Sequence, residues 1–132
     1  MTKPPRLASV MTPFPYSIDA GATLAEARAL MDEHGVHHLP VMEGNRIAGM
    51  LTARAVAADG PVRGAYAADP YVVDLHTTLP EVLHGMAERR VGSAIVTRDG
   101  RLSGVFTWVD ACRAFAEHLE EHFPLPGGDD AA

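Results

Sequence analysis

The chain has 132 residues, of which 47% are hydrophobic and 21% charged, and a formal charge of -6 at pH 7. That length and composition fit one compact soluble-type domain and exclude a disordered or fibrous chain, while the acidic balance excludes a protein whose main task is to grip phosphate backbones, so no nucleic acid is expected. A single cysteine, Cys112, excludes an intrachain disulfide, and no apolar run approaches the roughly 18 residues of a membrane span.

The first residues, Met1-Thr2-Lys3-Pro4-Pro5, lack the apolar core of a signal peptide, and the expected compartment is the cytoplasm. An extended lead-in at 14–18 is held out of helix by Pro15 and by β-favouring neighbours, which predicts a short strand. Thr23 and Glu26 then stand three apart, the spacing of a capping box, and open a predicted helix over 23–34 with Leu24, Ala27, Leu30 and Met31 on one face. The apolar runs 38–42 and 47–51, joined through Gly44-Asn45, predict a hairpin, and a short second helix follows Thr52. A linker over 58–68 carries Gly60, Pro61 and Gly64.

The same series then begins again. A lead-in at 69–73 precedes a capping pair, Thr78 and Glu81, and a helix over 78–89 that turns Leu79, Val82, Leu83 and Met86 to one side. Runs at 93–97 and 102–106 flank Asp99-Gly100 as a second hairpin. A longer helix runs from Thr107 to about Glu121, in which Cys112 is expected as a small buried hydrophobe, and the tail from Pro124 is expected to be disordered.

A shift of 55 positions lays Pro15-Tyr16 on Pro70-Tyr71, Asp19 on Asp74, Thr23-Leu24 on Thr78-Leu79, Gly49 on Gly104 and Thr52 on Thr107. The fold class is therefore α/β in the α+β sense: two β-α-β-β-α repeats, at 7–58 and 62–120, with a tail over 121–132. A unit of about 50 residues buries too little apolar surface alone, so the copies should stack about a pseudo-twofold axis with the function between them.

Residues that could carry chemistry lie where strand becomes helix, in Gly104-Val105-Phe106-Thr107-Trp108-Val109-Asp110. Glycine would let a ligand approach the backbone, Thr107 opens a helix whose free amides favour a phosphate, and a carboxylate at Asp110 can accept from the two hydroxyls of a ribose. Equally, Thr107 can be an ordinary N-cap and Asp110 a residue that complements the helix dipole. His34, His37 and His38 cluster, and His118 and His122 have i, i+4 spacing, but neither pattern is a specific metal signal. The period of a strand would set His37 and His38 on opposite faces, and no metal is expected.

With Val10-Met11-Thr12-Pro13, Val36-His37-His38-Leu39-Pro40-Val41 and the two Gly-x-x-Thr endings, the chain resembles a tandem pair of cystathionine β-synthase (CBS) domains, a Bateman module, over roughly residues 7 to 120. The resemblance implies a regulatory module, not an enzyme, that binds AMP, ADP, ATP or S-adenosylmethionine in the cleft between repeats. It assigns the ribose to Asp110, with Thr107 before it, the adenine to backbone at Tyr71 and Val72 with apolar packing from Ala94 and Ile95, and the phosphates to His37 and His38. Phosphate near those imidazoles would strengthen binding toward mildly acidic pH. In the first repeat Ala55 stands where the ribose aspartate belongs, so one good site is expected, and Thr52, Ala55 and the nearby Arg54 leave the second in doubt.

The resemblance also implies a flat homodimer, for which Leu24, Leu30 and Met31 or Trp108, Phe115 and Leu119 offer apolar positions, and an effector protein that the chain does not identify. A ligand-free interaction or dimerisation module is the alternative, and Ala55 favours it. No nucleophile-base pair or acid-base carboxylate pair is visible for catalysis.

Overall fold

Residues 4–13 and 15–124 are described in the computed structural model, a mixed α+β arrangement of two sheets and four helices. The chain opens with α1 (Leu7–Val10) and β1 (Thr12–Pro13). It continues through β2 (Ile18–Asp19), α2 (Leu24–His34), β3 (His38–Glu43), β4 (Arg46–Thr52) and a 3₁₀ turn at Ala55–Ala57. The second half runs β5 (Val72–Asp74), α3 (Leu79–Arg89), β6 (Ser93–Arg98), β7 (Arg101–Thr107) and α4 (Trp108–His122).

Local chemistry accounts for most of these boundaries. The Thr23 and Thr78 hydroxyls accept the amides of Glu26 and Glu81 at 3.1 and 3.4 Å, starting α2 and α3 one residue after each threonine. The glutamates remain exposed and only the threonine half of each box forms; the reciprocal box occurs instead at the start of α4, between Thr107 and Asp110. Leu24, Ala27 and Met31 of α2 and the equivalent Leu79, Val82 and Met86 of α3 are buried. The second hairpin turns through positive φ at both Asp99 and Gly100, 51° and 77°, as a tight two-residue hairpin requires. In the first turn only Gly44 is positive, at 61°.

Sheet connectivity departs from the simple repeat. β2 runs parallel to β3, and β3 pairs with β4, forming a sheet of order β2-β3-β4; the second sheet has the order β1-β7-β6-β5. β1 thus pairs with β7 of the second repeat, Thr12 opposite Val105 and Pro13 opposite Gly104. The linker answers in kind, because Met50 and Ala67 exchange two backbone hydrogen bonds of 3.1 and 3.0 Å. Leu7 is buried in the core of the second repeat, and its 55-shifted counterpart Val62 in the core of the first. Each leading segment is a strap across the other repeat, so 58–68 is built structure and not a slack linker.

The glycines at 49 and 104 serve this exchange. A Cβ on Gly104 would sit 2.6 Å from Met11 Sδ and 2.9 Å from the Thr12 carbonyl, and one on Gly49 would collide with Tyr66 and the Ala67 carbonyl. The close approach that glycine permits is therefore to a strap, not to a ligand as the motif suggested. Two cores, one per repeat, are joined by a third cluster in which Met50 of β4 packs against Ile95 and Val105.

Three further expectations change. The second helix of the first repeat is a single 3₁₀ turn. Cys112 is exposed, because α4 is covered on one side only. Residues 121 and 122 end α4 and do not belong to a tail, while 125–132 lie outside the described residues.

Candidate functional site

The start of α4 is the most chemically loaded point of the fold. Thr107 is the N-cap and accepts the Asp110 amide at 3.4 Å; Asp110 returns the bond, its Oδ2 accepting from the Thr107 amide at 2.9 Å and from the Thr107 hydroxyl at 3.1 Å. The side chain of Asp110 is 8% exposed, and its other oxygen, Oδ1, meets Arg113 Nη1 at 3.6 Å. The ordinary capping role is thus realised, yet it occupies one carboxylate oxygen only. The free amides of a 15-residue helix add a partial positive charge at the same place.

In front of this turn lies a cleft of 710 Å³. One wall is the segment from the first repeat, Thr12, Pro13, Pro15 and Tyr16; a second is Val36, His37 and His38; the third is Val105, Thr107 to Asp110 and Arg113 of the second repeat. The size suits a drug-sized or nucleotide-sized molecule. Burial, and then the neighbouring His37, hold the His38 imidazole below its ordinary value, and the Asp110 carboxylate opposes them.

Of the expected site residues, Thr107, Asp110, His37 and His38 share this cleft. His37 and His38 line it together because His37 precedes β3, where strand alternation does not yet apply. Tyr71, Val72, Ala94 and Ile95 lie elsewhere. Ala94 and Ile95 are fully buried on β6, and Tyr71 packs under the guanidinium of Arg89, 4.7 Å from its ring centroid. Tyr71 is the counterpart of Tyr16, which stacks on His34 at 3.7 Å, and it follows the strap whose Ala67 pairs with Met50. The lead-in facing Asp110 is therefore the one from the first repeat, since the straps cross. Tyr16, Val36 and Arg113 were not singled out as site residues in the sequence, although Arg113 carries a usable signal: at i+3 from Asp110 it shares a helix face.

The mirror-related position is weaker in two respects. It has Ala55 in place of the aspartate, and the 3₁₀ turn there supplies no long helix to orient amides toward an anion. Arg54 beside it is exposed. Among the described residues no three His, Cys, Asp or Glu side chains converge on a point.

The profile of the CBS domain matches residues 7–58 and again 62–117. Hypoxic response protein 1 of Mycobacterium tuberculosis is 33% identical over 112 residues, covering 76% of this chain and 78% of that protein. The CBS domain pair of protein MJ0100, in complex with 5′-methylthioadenosine and S-adenosyl-L-methionine, superposes with a TM-score of 0.81 at 16% identity, covering 88% and 99% of the two chains. CBSX2 in complex with AMP superposes at 0.74 and 21%, covering 86% and 97%. The twofold profile match, with two crossed β-α-β-β repeats behind it, makes the chain a member of the CBS-domain family that carries a tandem CBS pair.

Proposed function

We propose that the protein is a regulatory sensor module that takes an adenosine-containing ligand, AMP, ADP, ATP or S-adenosylmethionine, into the cleft between its repeats. The observation that carries this reading is Asp110: a buried carboxylate at a helix N-terminus, in an inter-repeat cleft, with one oxygen fixed by its own cap and the other facing only a loosely held arginine. A carboxylate so placed can accept from ribose hydroxyls while the helix amides favour phosphate. The complexes of the MJ0100 domain pair and of CBSX2 with adenosine compounds lend support from the same fold. A ligand there touches both the first-repeat strap and the second-repeat helix, so binding stabilises one arrangement of the repeats, which an effector protein can read.

Calorimetric titration of the four ligands into wild type and Asp110→Ala tests this. One ligand per chain is expected, with affinity about tenfold to hundredfold lower in the variant, the cost of a lost charge-assisted hydrogen bond. The variant also loses the carboxylate half of the α4 capping box, the bonds from the Thr107 amide and hydroxyl to Oδ2, so its melting is followed in parallel. Unchanged affinity in a folded variant rejects Asp110 as the ribose acceptor. Absence of binding by all four ligands favours a ligand-free interaction module, with which Ala55 in the first repeat agrees.

The same reading includes a homodimer. Leu24 and Met31 are buried in the core of their own repeat, whereas Trp108, Phe115 and Leu119 of α4 are 57%, 61% and 40% exposed. That exposure supports α4, and not α2, as the surface of the proposed dimer.

A further inference from the structure

The fixed charges that line the cleft nearly cancel. Asp110 contributes one negative charge and Arg113 one permanent positive charge, and His37 and His38 are the imidazoles on the wall. The two oxygens of Asp110 are not equivalent. Oδ2 holds the Thr107 amide and hydroxyl at 2.9 and 3.1 Å, and moving it would open the cap of α4, whereas Oδ1 has only Arg113 at 3.6 Å. Ribose hydroxyls must therefore be accepted at Oδ1, in competition with Arg113.

The outcome of that competition follows from exposure. The Asp110 side chain is 8% exposed and anchored, while that of Arg113 is 64% exposed on a flexible stem and surrenders a single long contact. Once displaced, the guanidinium is still on the cleft wall, with a planar fork that matches phosphate oxygens two at a time. We propose that Arg113 is a specificity-determining residue of the cleft, released from Asp110 by the ribose and taken up by the first phosphate of the ligand, so that the site selects a nucleoside monophosphate over the bare nucleoside. The proposal rests on the reading of the cleft as a nucleotide site. A nucleoside breaks the Asp110–Arg113 pair and leaves the arginine without a partner, whereas a monophosphate replaces the partner it removes. Among the described residues lining the cleft Arg113 is the sole permanent cation, so further phosphates meet no second fixed charge and add repulsion against a chain of net charge -6.

Titration of adenosine, AMP and ATP at pH 8 into wild type, Arg113→Gln and Asp110→Ala decides it. Wild type is expected to bind AMP more tightly than adenosine, and ATP no more tightly than AMP. In Arg113→Gln the affinity for AMP falls about tenfold, while that for adenosine holds or improves because Oδ1 has lost its competitor. An AMP-to-adenosine ratio unchanged in Arg113→Gln, with binding still lost in Asp110→Ala, overturns the role of Arg113 and leaves the nucleotide cleft standing. ATP binding more than tenfold tighter than AMP overturns the selection for one phosphate. Failure of all three ligands to bind wild type removes the nucleotide reading and this proposal with it. Far-ultraviolet circular dichroism checks the fold of Arg113→Gln, which an exposed side chain should leave unchanged.

Discussion

His38 is half-buried in the cleft, beside His37 and within the field of Asp110 and, one turn on, Arg113. Burial and His37 lower its affinity for a proton in the folded chain, so as pH falls the unfolded chain takes up the proton first. This contribution to stability is complete above the ordinary histidine value of 6.5 and declines below it. Wild type is therefore expected to lose more stability between pH 7.5 and pH 5.5 than His38→Gln, read by urea unfolding at both values; equal losses would show that His38 is not the group responsible. A bound phosphate reverses the preference by favouring the charged imidazole, which is why affinity for AMP is expected to strengthen from about pH 8 toward about pH 6.

The straps are the elements that turn two repeats into one cleft. Thr12 and Pro13 pair with β7 through Val105 and Gly104, and both residues also line the cleft, so docking of β1 and shape of the site are one property. In Gly104→Ala the new methyl meets the Met11 sulfur, which can move, and the Thr12 carbonyl, which belongs to the backbone of β1. A loss of about 1–3 kcal/mol is expected from such overpacking, measured by urea unfolding, together with weaker AMP binding. Unaltered stability would mean that β1 shifts without penalty and that the strap is not held as described. The repeat itself was legible at this scale, since Thr23 and Thr78 mark both helix starts; the structure adds matching irregularities in the hairpins at 41/42 and 96/97, one period apart. The strap exchange was not, since a period of 55 says which residues are equivalent and nothing about which copy each one packs against.

At the scale of the whole molecule, α4 is the least finished surface. Trp108, Cys112, Phe115 and Leu119 follow a 4, 3, 4 spacing along it, and a groove of 520 Å³ beside it is walled by Leu79, Leu83, Phe106 and Phe115. Apolar side chains at such spacing on an exposed helix form a seam suited to a second helix. Light scattering is expected to give the mass of a dimer for wild type and of a monomer for Phe115→Glu/Leu119→Glu, with unchanged circular dichroism. A monomeric wild type would remove the homodimer from the proposed function. No helix among the described residues is long and apolar enough to cross a membrane.

The amino-acid sequence by itself determined the doubled order of elements, the caps, the buried faces of α2 and α3 and the placement of Asp110 at a helix start, because each depends on spacings of a few residues that act within one turn or one strand. Tertiary structure alone decided the rest: that the lead-in with Tyr16 and not the one with Tyr71 faces Asp110, that His37 and His38 reach one cleft, that Cys112 stays exposed, and that Arg113 occupies the oxygen a ribose would need. These features depend on which distant segments share a core, and burial of Leu7 in one repeat and Val62 in the other is a balance of packing over the whole chain that no local pattern encodes.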